Sequence, residues 1–174
     1  MAEIKIPDGV SISIDSGIVT TKGPLGTNTR RINSTLLDVS QANGNLVIKP
    51  IMSKTLGRKA GMAERAVAKE LSNDMLGVAK HFEIRMHAVH SHFPIVLEVK
   101  DNMLLIKNII GERAPRSAKI AEGAKVEVKG QDVRVYGTSL DAVSQTAANI
   151  RKASKIVKKD ERVFQDGVYY ALEE

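Results

Sequence analysis

The sequence predicts an α+β protein made of two tandem duplicated domains, each an antiparallel β-sheet packed against one α-helix. Each half begins with apolar alternation and turn residues, which are typical of strands and hairpins. Each half then reaches a stretch whose apolar residues recur at helical spacing. The same order returns about 85 residues later, when Lys22 is aligned with Lys107. We therefore expect an N-terminal domain over residues 1–81 and a C-terminal domain over residues 82–174.

The first half predicts four strands and then a helix. Apolar residues alternate over 10–14 before a turn at Gly17, which indicates a hairpin. A second hairpin is expected at Asn43-Gly44, because this dipeptide accepts a positive φ at both turn positions. Between 62 and 80 the apolar residues recur every three or four positions, which predicts the helix.

The stretch KGPLG, residues 22–26, is expected to let a strand turn sharply. It lacks the G-x-x-x-x-G-K-[ST] spacing of a phosphate-binding loop, and it follows a hairpin instead of opening a helix. Glycine allows unusual torsions and proline fixes φ, so both residue types favour a turn.

The second half repeats the pattern. We expect a strand over 82–89 and hairpins that turn at Asp101-Asn102 and at 130–132. Thr138 or Ser139 is then expected to cap a helix that continues to about Val157. The apolar stripe of this helix is predicted to contain Val143, Ala147, Ile150 and Val157.

Composition narrows the class of function. The 174 residues include no cysteine, which excludes disulfides, thiolate zinc sites and cysteine nucleophiles. No apolar run approaches the roughly 20 residues of a membrane span, so we expect a soluble, cytoplasmic protein without membrane contact. A net charge of +6 favours a polyanionic partner. Only 3% of residues are aromatic, which favours phosphate and shape contacts with folded nucleic acid over base stacking.

The residues with catalytic or metal-binding chemistry form no recognisable site. His87, His90 and His92 lie close in sequence, but no carboxylate occurs between Glu83 and Glu98 to complete a metal site. The alternative is that these imidazoles pack at a strand edge or a domain junction. No nucleophile, dinucleotide or kinase motif is present, so we expect a protein that is not an enzyme and has no cofactor.

Positive charge gathers at the end of the second predicted helix. Between 150 and 162 the chain has six basic and two acidic side chains. On a continuous helix the basic ones would lie about 120° from the apolar stripe, so they would form a strip suited to a polyanion. Phe164 follows, and it either stacks on a base or anchors the tail.

A second basic cluster precedes the first predicted helix. It contains Lys54, Arg58, Lys59 and Arg65, with glycines at 57 and 61 that would let the backbone approach a partner. The cluster is either a nucleic-acid contact or a mobile loop whose charge only increases solubility.

Three motifs carry a resemblance to a known family. GIVTTKGPLG at residues 17–26, HSHFPI at 90–95 and RVFQDGVYY at 162–170 resemble large-subunit ribosomal protein six in its archaeal and eukaryotic form. The similarity covers nearly the whole chain. It implies a duplicated two-domain α+β protein that is a monomeric structural constituent of the large ribosomal subunit. It also implies binding to large-subunit rRNA near the sarcin-ricin loop and the stalk base, with other ribosomal proteins and translational GTPases nearby.

The resemblance also implies which residues contact rRNA. They are Arg151, Lys152, Lys155, Lys158, Lys159, Arg162, Phe164, Asp166 and Gly167. The loop KTLGRKAGMAER differs from the family pattern, which has a histidine and a Gly-Thr pair there, so Lys54, Arg58 and Lys59 are carried over only as secondary contacts. Two other functions stay open, a free-standing nucleic-acid-binding regulator and a metal-dependent enzyme built on the histidines.

Overall fold

A computed structural model describes residues 2–42, 44–51, 57–91, 93–160 and 162–171. The chain divides into two units, Met1–His81 (unit 1) and Phe82–Glu174 (unit 2). Each contains small antiparallel sheets and one α-helix, so the predicted α+β class is confirmed. None of the helices in the described ranges is long and apolar enough to cross a membrane.

Unit 1 contains six strands and one helix within the described residues. The elements are β1 (Ala2–Lys5), β2 (Ser11–Asp15), β3 (Ile18–Gly23), β4 (Gly26–Arg31), β5 (Leu37–Ala42), β6 (Asn45–Pro50) and α1 (Gly57–Ala79). The strands form two sheets, ordered β1-β6-β5 and β2-β3-β4. The buried side chains of Val19, Leu46, Ile48 and Leu71 form the centre of the core.

The two predicted hairpins of unit 1 are confirmed by the pairing of β2 with β3 and of β5 with β6, although Asn43 of the second turn lies outside the described residues. The prediction misses β1 and β4. The sequence of β4, GTNTRR, contains no aliphatic or aromatic residue, so it shows no apolar alternation. It is a strand because its backbone pairs with β3. The predicted start of α1 is also too late, since the helix begins at Gly57 and buries Ala60 completely. Packing of Ala60 overrides the low helix propensity of Gly57 and Gly61 in the same part of the helix.

Residues 22–26 form a sharp turn, as predicted, which connects β3 to β4 and also contacts the end of α1. Gly23 pairs with Gly26 across the turn. The Leu25 N–H donates to the Val78 carbonyl at 3.1 Å, which satisfies one carbonyl in the last turn of the helix. A Cβ atom on Gly23 would lie only 2.7 Å from Val78 Cγ2. Glycine is therefore required at 23 because the turn packs closely against α1.

Unit 2 contains seven strands, one helix and a short 3-10 turn at Ile109–Gly111 within the described ranges. The elements are β7 (Phe82–Val89), β8 (Val96–Lys100), β9 (Met103–Lys107), β10 (Arg116–Lys119), β11 (Ala124–Lys129), β12 (Asp132–Gly137), α2 (Leu140–Ser154) and β13 (Gly167–Tyr170). The sheets are ordered β10-β9-β8 and β11-β12-β7-β13. Met86, Ile106, Val135, Val143 and Ile150 lie in its buried core.

The two units share one pairing pattern. The order β1-β6-β5 matches β7-β12-β11, and β2-β3-β4 matches β8-β9-β10. Ser11 pairs with Lys22, and Val96 pairs with Lys107, so the first hairpins agree in register with the sequence alignment. The alignment fails beyond that point, because Gly26 begins a strand whereas Gly111 lies in the 3-10 turn. Strand β13 has no counterpart among the described residues of unit 1.

The predicted end of α2 is wrong. The Ser139 side chain caps the helix as expected, by accepting from the Ala142 N–H at 3.4 Å, but the helix ends at Ser154 and not near Val157. Lys155 already has extended torsions, with φ −63° and ψ 129°. Ile156 is 6% exposed and takes the core position that was predicted for Val157, which is 70% exposed.

Two side chains, those of Arg116 and Ser154, bond to carbonyls at the end of α2 and explain why the helix ends there. The Arg116 guanidinium donates to the carbonyls of Ala153 and Lys155, at 3.2 and 2.8 Å. The Ser154 hydroxyl lies within hydrogen-bond distance of the carbonyls of Arg151 and Val168, at 3.0 and 3.4 Å, and shares its one proton between them. The carbonyls of Arg151 and Ala153 in the last turn therefore have partners without a further turn of helix. The basic strip predicted on one helix face consequently does not continue past Lys152.

Candidate nucleic-acid interface

The cations from Arg151 to Arg162, called here the basic segment, occupy the last turn of α2 and the irregular chain after it. Arg151 and Lys152 belong to the helix. Lys152 is exposed, and so are the four cations that follow the helix, Lys155, Lys158, Lys159 and Arg162. The segment therefore presents positive charge to solvent, although not in the helical arrangement that the sequence predicted.

Some of these cations already have partners. The Arg151 guanidinium lies 4.5 Å from the centroid of the Tyr169 ring, and the Lys159 ammonium lies 4.7 Å from that of Phe164. Arg162 forms an ion pair with Asp160 at 3.1 Å. The pKa of Asp160 is lowered chiefly by the hydrogen bond from the Arg162 side chain and, to a smaller extent, by the one from the Arg162 backbone N–H. Within the described residues, Arg151 and Lys159 contact aromatic rings and form no ion pair with a carboxylate, whereas Asp160 offsets the charge of Arg162.

Lys152 and Lys158 have no carboxylate partner among the described residues. Within the described part of the chain, no carboxylate forms an ion pair with either ammonium group. Exposed like charges close together repel one another, so a polyanion that approached the segment would relieve this repulsion. The basic segment is accordingly the strongest candidate interface of unit 2.

Phe164 anchors the chain in this structure. Its ring packs against the buried core of unit 2, and the Lys159 ammonium covers part of it. Its backbone N–H donates to the Asp160 carbonyl at 2.9 Å. Of the two roles that the sequence left open, the structure favours the anchor over the base-stacking platform.

Asp166 and Gly167 lie inside the protein, although both were predicted to contact rRNA. Asp166 is 2% exposed, and its Oδ1 accepts from the Ser91 N–H at 2.6 Å. A Cβ atom on Gly167 would lie 3.2 Å from the Tyr169 ring, which leaves little room for any other residue. A buried carboxylate is not presented to phosphate groups. These two residues instead hold the chain where it enters β13.

The basic segment is held at both ends, and strand β13, which returns the chain to the sheet, holds one of them. Val168 pairs with Ala88 of β7, and both side chains are buried. The other end of the segment is held by the Arg116 bonds to the end of α2. The cations are therefore placed at defined positions by the fold.

The second basic cluster lies on α1 where it is described. Lys54 falls outside the described residues. Arg58 and Lys59 are exposed in the first turn of the helix, so the alternative of a mobile loop is wrong for this part. The two glycines also lie within the helix, which removes the proposed close backbone approach.

The charges of α1 are segregated between its faces. The exposed cations are Arg58, Lys59, Arg65 and Lys69. Glu64 and Asp74 are buried at 9% and 4% exposure, and Glu70 accepts from Arg30 at 3.0 Å. The outward face of α1 is therefore cationic, because all of its carboxylates face inward or are engaged.

The described histidines do not form a metal-binding cluster with other described residues. His87 Nδ1 lies 2.7 Å from Asp132 Oδ1, and both side chains are exposed on the sheet. No group of three or more His, Cys, Asp or Glu residues could hold a metal ion within the ranges that the structure describes. His92 lies outside these ranges.

Comparison with known proteins agrees with the motifs. A family model described as Ribosomal protein L6 matches residues 93–167. The chain is 39% identical to large ribosomal subunit protein uL6 of Methanobrevibacter smithii, over 99% of this chain and 95% of that protein. It is 39% identical to uL6 of Methanosarcina mazei, over 95% and 93%, and 38% identical to uL6 of Ignicoccus hospitalis, over 99% and 94%. The chain therefore belongs to the ribosomal protein L6 family.

Proposed function

We propose that this chain is a structural protein of the large ribosomal subunit and that it binds large-subunit rRNA through the basic segment of unit 2. Its place is then the ribosome in the cytoplasm, beside rRNA and other ribosomal proteins, and it performs no catalysis. Family membership and the names of the relatives support the first part of the proposal.

The observation that carries the rRNA contact is the set of exposed cations on a segment held at both ends. Each cation alone contributes little to binding in water. Several cations at fixed spacing release counterions together when they meet phosphates, so binding becomes strong and salt-dependent. In this proposal the principal phosphate contacts are Lys152, Lys155, Lys158 and Lys159. Arg151 and Arg162 also contact phosphate groups, although Arg151 lies over the Tyr169 ring and Arg162 is paired with Asp160.

The finer location follows from the family resemblance. We place the contact near the sarcin-ricin loop and the stalk base, where translational GTPases dock, with the protein present as a monomer. The cationic face of α1, including Arg58 and Lys59, is a secondary rRNA contact in this proposal. Crosslinking of the basic segment within assembled subunits would identify the nucleotides beside it.

The first prediction concerns the salt dependence of rRNA binding. Replacing Lys155, Lys158 and Lys159 by Gln should lower the slope of log K against log salt by roughly 0.7–0.9 for each phosphate group that the variant no longer neutralises. Affinity for large-subunit rRNA should be measured between low and moderate salt concentrations.

The matched control replaces three exposed lysines elsewhere in unit 2, Lys119, Lys125 and Lys129, by Gln. This variant carries the same change in net charge, so its slope should stay close to that of the wild type. Equal slopes for the two triple variants would show that general charge, and not the basic segment, drives binding. Co-sedimentation with large subunits separates a ribosomal protein from a free-standing regulator, which would remain in the supernatant.

A further inference from the structure

Three chain connections meet at the end of unit 2 that contains the basic segment. The Ser91 N–H donates to Asp166, which follows that segment. The Asn108 side chain donates to the Pro94 carbonyl at 3.0 Å, which joins the connection after β7 to the one after β9. The connection after β9 ends at Arg116, whose side chain donates to the Lys155 carbonyl and so links this connection to the basic segment. The three connections therefore form one continuous surface.

Phe93 lies on this surface and is unusual among the aromatic residues. The chain has three Phe and three Tyr residues, all within the described ranges. Phe93 and Tyr170 are the two that are exposed, at 44% and 50%. Phe82 and Phe164 pack against the core, while Tyr136 and Tyr169 are covered by arginines. Phe93 thus offers an accessible ring in the connection that Ser91 joins to Asp166, directly after the basic segment.

One side of the Phe93 ring lies close to the backbone at Gly111. Gly111 has φ 74°, and a Cβ atom there would lie 3.6 Å from two atoms of the Phe93 ring. Gly111 lies in a tight turn in which Asn108 and Ile110 also have positive φ, at 63° and 49°. Ile110 is β-branched, and a β-branched residue with positive φ is strained. Backbone strain of this kind clusters at functional sites.

The same connection carries a further exposed cation. Arg113 is exposed between the 3-10 turn and β10. Its neighbour Arg116 is partly buried, and its charge is already offset by Glu112, at 2.5 Å. The hydrogen bond from Arg116 lowers the pKa of Glu112, and that bond also raises the pKa of Arg116. Arg113 is therefore the cation of this pair that is available to a ligand.

We propose that Phe93 is a stacking platform for an unpaired nucleobase of the bound RNA, and that Arg113 contacts the phosphate next to that base. This inference rests on the proposed function, since it adds a base contact to the phosphate contacts of the basic segment. An RNA strand is the partner that the charge favours, because the connection whose Gly111 contacts the ring also carries the exposed Arg113. An aromatic ring accepts any of the four bases, so the contact selects an unstacked base and not a particular sequence.

The test exploits the different salt dependence of stacking and ion pairing. Phe93→Leu keeps an apolar side chain but removes the aromatic ring. It should weaken binding to large-subunit rRNA by about tenfold at every salt concentration, with the slope of log K against log salt unchanged. Phe93→Tyr should restore affinity, and Tyr170→Leu, which removes the other exposed aromatic ring, should leave affinity unchanged. Arg113→Gln should lower the slope by about one phosphate contact.

A second measurement reports the stack directly. The chain has no tryptophan, so Phe93→Trp introduces a single tryptophan at the proposed platform, and its emission can be excited separately from that of the three tyrosines. Stacking on a base should quench its emission when rRNA is added. Unchanged emission, or full affinity of Phe93→Leu in a variant whose thermal unfolding matches the wild type, would overturn the inference. The proposed function would survive that result if the triple lysine variant still lowered the slope.

Discussion

At the scale of single residues, two arginines link strands to helices. Arg30 of β4 donates to Asp74 at 2.6 Å and to Glu70 at 3.0 Å, both on α1. Arg116 of β10 donates to the carbonyls at the end of α2. Both arginines follow glycine-containing turns in the sequence and count toward the net positive charge. Their contacts show that this part of the charge stabilises the fold and is not available to RNA.

The contact between Arg30 and Asp74 predicts a coupled loss of stability. The side chains are only 21% and 5% exposed, so removal of either partner leaves the other poorly solvated. Arg30→Gln and Asp74→Asn should each lower the free energy of unfolding by about 1–3 kcal/mol. The double variant should lose less than the sum of the single losses, as measured by urea unfolding. Strictly additive losses would contradict the contact, and Asp38→Asn, at an exposed site, should have little effect.

At the scale of elements, contacts from distant strands and turns decide how each helix ends. The turn between β3 and β4 meets the last turn of α1 through Leu25 and Gly23. Arg116 and Ser154 satisfy the carbonyls at the end of α2. The end of α2 determines where the basic segment leaves the helix. The same contacts therefore shape the proposed interface.

Two glycines of unit 1 should respond in opposite directions to the same substitution. Gly23→Ala places a methyl group against Val78, so it should destabilise the protein by about 1–3 kcal/mol. Gly61→Ala adds its methyl group in open space within α1, so it should stabilise by about 0.5–1 kcal/mol. Thermal unfolding of both variants checks this pair. A stable Gly23→Ala variant would mean that the turn does not pack closely against the helix.

At the scale of the whole molecule, one pairing pattern occurs twice while the proposed RNA contacts are concentrated in unit 2. Strand β13 and the basic segment before it have no counterpart in the part of unit 1 that the structure describes. The two units therefore share a scaffold but differ in what they present. Unit 1 contributes the cationic face of α1, which we propose as a secondary contact.

This difference predicts the behaviour of a fragment that begins at Phe82. We propose that residues 82–174 are an independent domain, because each unit has its own buried core. The fragment should unfold cooperatively and retain most of the salt slope of the whole chain for large-subunit rRNA. In the whole chain, Arg58→Gln with Lys59→Gln should change the slope less than the triple lysine variant does. An unfolded fragment, or one with little salt dependence, would contradict the proposal.

The sequence by itself determined the fold class, the main hairpins, both helices and the family. These features depend on local periodicity and on turn residues such as Asn43-Gly44, or on motifs that are contiguous in the chain. Strands without apolar alternation, such as β4, could not be found in this way, because pairing with β3 makes them strands.

Only the tertiary structure decided which of the predicted site residues are presented to a partner. It ended α2 at Ser154, buried Asp166 and anchored Phe164, while it left Phe93 exposed. The reason is that these outcomes depend on contacts between distant residues. Arg116 and Ala153 are 37 positions apart, and Ser91 and Asp166 are 75 apart. Local patterns indicate which face of an element is apolar, but they do not identify the distant group that bonds to its end.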